Sequence, residues 1–431
     1  MRIDELLSIT GGKLIGEYKD ISLKNFILDS RKLKKEDCFI ALKGKKYDAS
    51  NFINDKIKCD VIITEKYIKL KNKIIIQVNS TYEILEKLIK YYRDKYNINV
   101  IAITGSNGKT TTKEILYKIL SNKYKVLKNE GNKNNIIGVF ETIKNLDDSY
   151  DVAIFEVGMN HKGEIKKISD LIKPDIAIIT NIGSAHIGNL GSKKNIFKAK
   201  MEITSSLKDL LIVNGDSKYL DKTKSYKCGI NYNNDLIAYD INLYEKYMIF
   251  KIYLDKNYEI KYNNPVKEYI PMILECIKAG IYYKIPIDKI IDVLNKYESY
   301  NKRLKMIKCN DYVIIDDSYN ASFESVKCGL EYLKNIKGDK IIILGDMLEL
   351  GKYSIKYHKK INELININDT ILTVGNYTKY IYSKHFNNNK ELIKYLDQLN
   401  LKGKCIYVKG SNSMHLDEIV DYLKNKTVEI I

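Results

Sequence analysis

The 431-residue chain has no tryptophan, four prolines and only four arginines: Arg2, Arg31, Arg93 and Arg303. No stretch approaches the ~20 uninterrupted apolar residues a bilayer span requires, so no membrane crossing is expected. The first residues, Met1-Arg2-Ile3-Asp4-Glu5, contain no apolar core of a secretory leader. Seven cysteines occur singly and none forms a Cys-x-x-Cys pair, which argues against both a zinc site and a disulfide framework. A cytoplasmic protein is expected from these absences.

The shortage of arginine also bears on the charge. A formal net charge of +18 would ordinarily raise the question of nucleic acid. The excess is carried by lysines spread along the whole chain with acids interleaved. No basic stripe with interleaved aromatics is visible, so a nucleic-acid partner is not expected, although the charge would suit an anionic substrate. Where lysine is the default cation, a retained arginine points to a need for its planar, bidentate fork.

At this length two to four domains are expected. The chain is organised around Val100-Ile101-Ala102-Ile103-Thr104-Gly105-Ser106-Asn107-Gly108-Lys109-Thr110-Thr111. Ile98 to Ile103 is a short β-branched run that reads as a buried parallel strand. Thr110 to Leu120 carries Ile115, Leu116, Ile119 and Leu120 on one helical face. A glycine-containing turn ending in Gly-Lys-Thr between a strand and a helix is what a phosphate-binding loop requires. Backbone N–H groups and the helix N-terminus face an anion, the lysine reaches the phosphates and the threonine hydroxyl ligates Mg²⁺. The bland alternative is a tight turn with a solvated lysine; the flanking pattern favours ATP.

Around this loop the chain divides into three α/β units, at 1–95, 96–300 and 301–431. In the first, strands are expected at Asp37 to Gly44, Val61 to Thr64 and Ile74 to Val78, with a helix over Phe52 to Lys58. Asp29-Ser30-Arg31, read alone, is a turn closed by a surface ion pair. In the second, strand–helix alternation predicts a parallel sheet covered on both faces. Gly131 to Gly138 reads as a polar loop. Glu156 ends the strand Val152 to Phe155, well placed to hold a metal beside the phosphate loop. His186 follows the strand Ile176 to Thr180, and a hydrogen-bonded structural role is its usual default. Ser192 is a plausible N-cap for a helix containing Lys198 and Lys200; nothing in the local pattern singles out Lys200. In the third unit, Val313 to Asp317 is a strand ending in acids before Ser318-Tyr319-Asn320-Ala321. The strand Ile341 to Leu344 runs into Gly345-Asp346-Met347-Leu348-Glu349-Leu350-Gly351.

These clusters, in this order, resemble the Mur ligase family, ATP-dependent amide-forming enzymes of peptidoglycan precursor synthesis. The last two motifs are similar to the member that joins D-alanyl-D-alanine to UDP-N-acetylmuramoyl-tripeptide. The Asp-Asn-Pro-Arg tetrapeptide of a sister member is absent. The resemblance implies an α/β fold of three domains: an N-terminal UDP-substrate domain, a central parallel-sheet P-loop ATPase domain and a C-terminal Rossmann-like domain. It implies an ATP-dependent ligase working through an acyl phosphate, with two Mg²⁺ ions and a monomeric chain. Gly105, Ser106, Asn107, Gly108, Lys109, Thr110, Thr111 and Asn134 or Asn135, of which Asn135 is preferred, would hold the nucleotide with Arg303 and Asp317. Thr110 and Glu156 would ligate one Mg²⁺; His186 and a carbamylated Lys200 would ligate the second. Lys109, Lys200, His186 and Arg303 form the implied catalytic set. Asp29, Ser30 and Arg31 would engage the uridine nucleotide, and Asn320, Asp346 and Glu349 the incoming amine. The chain departs from the family pattern at Phe140, at Asn264-Pro265-Val266-Lys267-Glu268 where adenine is held, at Ser322-Phe323, and at Asn412 after Lys409-Gly410-Ser411. A divergent ligase acting on another carboxylate or amine is the alternative.

Overall fold

A computed structural model describes residues 1–44, 47–299 and 302–426. Three sheets follow one another along the chain. The first comprises β1 (Lys13–Ile15), β2 (Asn25–Ile27), β3 (Asp37–Ile40), β4 (Val61–Thr64) and β5 (Ile74–Gln77), in the order β1-β5-β4-β3-β2. β2 to β5 pair in parallel, and β1 lies antiparallel along one edge. Every residue of β3 and β4 is buried, which is why these strands read as unbroken runs and not as alternation. The expected helix over Phe52 to Lys58 does not form. Asp48 caps a 3₁₀ turn at Ala49–Phe52, and the Asn54 side chain then accepts from the Lys56 N–H at 2.9 Å. Short polar side chains that bond nearby backbone in this way compete with helix formation.

The helix Thr81–Lys95 leads out of the first unit with Ser80 as its N-cap. It buries Ile84, Leu85, Leu88 and Ile89 and packs on helices Ile136–Ile143 and Glu164–Ile172 of the second unit. Arg93 is buried there and donates from Nε to the Ile172 carbonyl at 2.7 Å. One of the four arginines therefore serves the joint between units.

The second sheet contains β6 (Asn99–Thr104), β7 (Val126–Lys128), β8 (Val152–Glu156), β9 (Ile176–Ile179), β10 (Leu210–Asn214), β11 (Tyr226–Gly229), β12 (Leu236–Leu243), β13 (Met248–Tyr253) and β14 (Asn257–Tyr262). Their order is β14-β13-β12-β11-β10-β9-β6-β8-β7. β6 lies between β8 and β9, parallel to both, at the point where the strand order reverses; ligands bind such sheets beyond this switch point. The sheet is not parallel throughout. β12, β13 and β14 form an antiparallel meander on its edge. β13 and β14 alternate buried and exposed residues around the turn after Tyr253, as strands with one solvated face do. The loop after Gly131 is also shorter than expected, because Asn135 caps a helix that begins at Ile136.

The third sheet comprises β15 (Lys305–Lys308), β16 (Val313–Asp316), β17 (Lys340–Gly345), β18 (Thr370–Val374), β19 (Lys384–Phe386) and β20 (Cys405–Lys409), ordered β15-β16-β20-β17-β18-β19. All neighbours are parallel except β15, which pairs antiparallel at the edge. Among the described residues no helix is long and apolar enough to cross a membrane.

Candidate active site

Loops at the carboxyl ends of the second and third sheets line a single cleft of about 840 Å³. Its floor is the loop between β6 and the helix Lys109–Leu120. A Cβ on Gly105 would stand 1.9 Å from Thr180 Oγ1, and Gly108 caps the helix at a φ of 82°, so both positions demand glycine. Ser106 Oγ accepts from the Gly183 N–H at 2.8 Å, and the Asn107 N–H donates to Asn181 Oδ1 at 2.9 Å, fixing the loop against the end of β9. Lys109 Nζ folds back to donate to the Gly105 carbonyl at 2.8 Å. Burial pushes its ammonium below the usual lysine range, and Glu156 pulls it part of the way back. Thr110 Oγ1 donates to Glu156 Oε2 at 2.7 Å, while Thr111 lies one residue further along the cleft wall.

Asn134 and not Asn135 turns into this cleft: its Nδ2 donates to Glu156 Oε1 at 2.9 Å. The Asn135 oxygen is committed to the Gly138 N–H at 3.0 Å as a helix cap, and Asn135 does not line the cleft. His186 sits at a left-handed φ of 63° before a short helix, with Nδ1 3.3 Å from Glu349 Oε2. Burial and, after it, Lys109 and Lys200 push the His186 pKa down to about 3, so the ring is neutral at physiological pH. Lys200, on the helix Lys193–Met201 capped by Ser192, is 1% exposed and lies behind the cleft wall. Burial and the nearby Lys109 depress its ammonium far below the usual lysine range.

From the third unit, Arg303 Nη2 donates to Thr110 Oγ1 at 2.9 Å, and its guanidinium stacks 4.1 Å over the Tyr319 ring. Arg303 Nε is buried with no hydrogen-bond partner among the described residues. Asp317 accepts from Lys409 Nζ at 2.6 Å and from the Tyr407 hydroxyl at 2.9 Å. Burial pushes the Asp317 carboxyl up, and Lys409 opposes this. Lys409 also donates to the Asn320 carbonyl at 3.1 Å. Lys409 has no role in the sequence reading, although its position at the tip of β20 before Gly410 is a signal.

Asp346 differs from expectation. It is 1% exposed, and its carboxylate accepts the N–H groups of Asn376, Tyr377 and Thr378 at 2.7, 2.9 and 2.8 Å. It organises a loop and does not line the cleft, whereas Asn320 and Glu349 do. Asp29, Ser30 and Arg31 also lie off the cleft. Asp29 caps a 3₁₀ turn, and its two oxygens accept from Arg31 Nε and Nη2 at 2.9 and 2.8 Å. That pairing lowers the Asp29 pKa to about 2, and the Arg31 side chain is 87% exposed.

A family model described as "Mur ligase middle domain" matches residues 103–268, and one described as "Mur ligase, glutamate ligase domain" matches 302–412. The UDP-N-acetylmuramoyl-tripeptide--D-alanyl-D-alanine ligase of Bacillus subtilis is 33% identical over 94% of this chain and 94% of that protein. The enzyme of the same name from Buchnera aphidicola subsp. Baizongia pistaciae is 36% identical over 97% of each. This chain belongs to the Mur ligase family. In structure it is similar to MurF from Acinetobacter baumannii, with a TM-score of 0.91 at 28% identity over 98% of each chain. MurF ligase from Thermotoga maritima, solved in complex with ADP, aligns with a TM-score of 0.87 at 26% identity over 95% of this chain and 99% of that one. The chain is an α/β ligase of this family.

The donor set fits Mg²⁺, which takes hard oxygen ligands. Thr110 Oγ1 and Glu156 Oε2 converge on the cleft floor within 2.7 Å of one another. Beside the neutral His186 ring the Glu349 carboxylate, 3.3 Å away, supplies one further oxygen donor.

Proposed function

We propose that this chain is the cytoplasmic, ATP-dependent ligase that joins D-alanyl-D-alanine to UDP-N-acetylmuramoyl-tripeptide. The observation that carries the reading is Arg303: a guanidinium from the third unit reaches the phosphate-loop threonine while its buried Nε has no partner among the described residues. A buried donor left unpaired costs about 1–3 kcal/mol, and a phosphate oxygen of ATP would satisfy it.

In this reading the tripeptide carboxylate attacks the γ-phosphate, giving an acyl phosphate and ADP. The dipeptide amine then adds to the acyl carbon and phosphate departs. Lys109 gives up its bond to the Gly105 carbonyl and turns to the transferring phosphate, while Arg303 neutralises the charge that develops on it. The Gly108 and Lys109 backbone N–H groups at the helix N-terminus would cradle the β-phosphate, while those of Ser106 and Asn107 hold the loop to Asn181. Two Mg²⁺ ions, one held by Thr110 and Glu156 and one by His186 with Lys200 in its carbamate form, would supply further neutralisation of phosphate charge. Asp317 and Lys409 stand where the nucleotide meets the third unit. Asn320 and Glu349 would orient the amine, and Asp29, Ser30 and Arg31 would hold the uridine nucleotide outside the cleft. Residues 1–95, 96–300 and 301–431 divide these tasks among UDP-substrate, ATP and amine.

ATP hydrolysis measured against a panel of UDP-muramyl peptides, with and without D-alanyl-D-alanine, tests the assignment. ADP release that requires both the UDP-muramoyl-tripeptide and the dipeptide supports it. Release that is indifferent to the dipeptide, or specific for another amine, overturns it.

A further inference from the structure

Ser322-Phe323, which departs from the family pattern, and the Glu324 that follows open the helix Phe323–Lys334 of the third unit. Its polar side chains do not turn inward. Glu324 Oε2 accepts from the Ser184 N–H at 2.9 Å and from the Ser184 hydroxyl at 2.6 Å, and its Oε1 accepts from Lys193 Nζ at 2.9 Å. Ser184 is fully buried, so the Glu324 carboxylate is the acceptor for both of its donors. Ser322 caps the helix in a reciprocal pair with Ser325, and its hydroxyl also donates to Asn107 Oδ1 at 2.9 Å. Phe323 packs against Tyr357 with ring centroids 5.2 Å apart.

All of these partners except Ser325 and Tyr357 belong to the second unit: Asn107 and Ser184 are on loops at the active site, and Lys193 opens the helix that carries Lys200. Asn107 is in the phosphate loop. Ser184 lies two residues before His186, and its neighbour Gly183 donates to Ser106 Oγ in the phosphate loop. A Cβ on Gly183 would come within 3.0 Å of the Glu324 carboxyl and 3.1 Å of the Ser106 Cβ, so the three segments meet without room for a side chain. The carboxylate also sits in the first turn of its helix, where the helix dipole favours an anion.

We propose that Glu324 is a positioning residue for the ligase reaction. With Ser322 it makes the first turn of this helix a clamp that joins closure of the third unit to the geometry of the 183–186 loop and the phosphate loop. When the third unit closes, the same motion that brings Arg303 to Thr110 seats Ser184 on Glu324 and Asn107 on Ser322. When it opens, two donors of Ser184 lose their acceptor and the loop carrying His186 loses its anchor. The proposal rests on the ligase reading given above.

The test uses the full chain. Steady-state kinetics on all three substrates are run beside small-angle X-ray scattering with and without ATP plus UDP-muramoyl-tripeptide. Glu324→Ala is expected to lower kcat by about 10- to 100-fold, the penalty of a misplaced reacting geometry, and to leave the KM for the UDP-muramyl substrate within about twofold. The parent is expected to compact on adding both ligands, and Glu324→Ala should abolish that compaction. Glu324→Gln keeps an acceptor for Ser184 and loses the ion pair, so it should fall between the parent and Glu324→Ala. Parental kcat in Glu324→Ala, or lowered kcat with parental compaction, would overturn the clamp. Should Glu324→Ala not fold, Glu324→Gln and the surface change Lys193→Ala carry the same test, and parental kcat in both would overturn it. A parent inactive on these substrates overturns the ligase reading and the clamp with it, whereas an active parent beside an unimpaired Glu324→Ala overturns the clamp alone.

Discussion

Arg303 Nη2 and Thr110 Oγ1, 193 residues apart in sequence, meet at 2.9 Å across the cleft between the second and third sheets. The guanidinium is held flat by the Tyr319 ring, which leaves its edge aimed at the phosphate loop. A lysine could reach the threonine or a phosphate oxygen but lacks the rigid fork to serve both. Arg303→Lys should therefore lower kcat at least roughly tenfold at saturating ATP, with melting temperature unchanged. Initial-rate kinetics beside a thermal unfolding curve check this, and parental turnover would remove Arg303 from the chemistry.

Lys109 is the second cation of this pair of loops. Its bond to the Gly105 carbonyl is a resting position that substrate phosphate would replace. Lys109→Ala should reduce ligation by roughly a hundred- to a thousand-fold, the scale of losing a preorganised charge at a developing anion. The circular dichroism spectrum should be unchanged, since the helix Lys109–Leu120 is anchored by Ile115, Leu116, Ile119 and Leu120. Near-normal turnover at saturating ATP would sink the nucleotide-site reading.

The parallel strands that end in functional loops were legible because both of their faces are buried, so Val100 to Ile103 and Val152 to Phe155 appear as unbroken apolar runs. Half-solvated β13 and β14 carry only weak alternation among lysines and tyrosines, too little to mark them as strands. Asn135 and Asp346 are implied as site residues by the family resemblance alone. Their oxygens are instead consumed by backbone N–H groups, which sequence spacing does not reveal. Glu324 left no signal at all. Its partners are 140 and 131 residues away, and only the packing of two separate sheets brings them to it.

Arg31 lies on the surface of the first unit, paired with Asp29 and outside the cleft. If it grips the uridine nucleotide, Arg31→Lys should raise the KM for the UDP-muramyl substrate roughly three- to tenfold, a modest effect at an exposed and screened site. The value of kcat should fall less. An unchanged KM would reduce Asp29-Ser30-Arg31 to a turn with a surface ion pair.

His358 gives the fold a measurable acid sensitivity. The ring is fully buried beneath the 346–349 segment. Nε2 accepts from the Met347 N–H at 3.0 Å, and Nδ1 donates to the Ser354 carbonyl at 2.7 Å, so the neutral form satisfies both nitrogens. Burial depresses its pKa below 6.5, with the Ser354 carbonyl and Asp346 opposing. The unfolded chain therefore binds the proton first, and stability present above pH 6.5 is lost as pH falls below it. His186 contributes with the same sign, its pKa lying at about 3. His358→Asn should cost about 1–3 kcal/mol at pH 8 by stranding buried polar groups, and should flatten the fall in stability between pH 7 and 5 without abolishing it. Urea titrations at each pH measure both, and an unaltered slope would refute the assignment.

Lys200 poses the sharpest question about the site. An ammonium is a poor occupant of a position 1% exposed and close to Lys109, and both influences drive it toward the neutral amine. A neutral amine is the form that adds to carbon dioxide, forming an N–C bond and releasing a proton to leave an anionic carbamate. That anion offers the hard oxygen donors Mg²⁺ prefers and removes the repulsion a free ammonium would impose. Lys200→Ala should be nearly inactive, and a short carboxylate such as acetate or formate should restore part of the rate by replacing the missing anion. Lys198 provides the control, since it is exposed on the same helix two residues away. Lys198→Ala should keep parental activity and show no response to added carboxylate. Carbon-13 NMR of protein equilibrated with labelled bicarbonate should show a carbamate signal in the parent and in Lys198→Ala, and none in Lys200→Ala. An active Lys200→Ala that needs no rescue, or equal rescue of both variants, would leave Lys200 a buried structural amine.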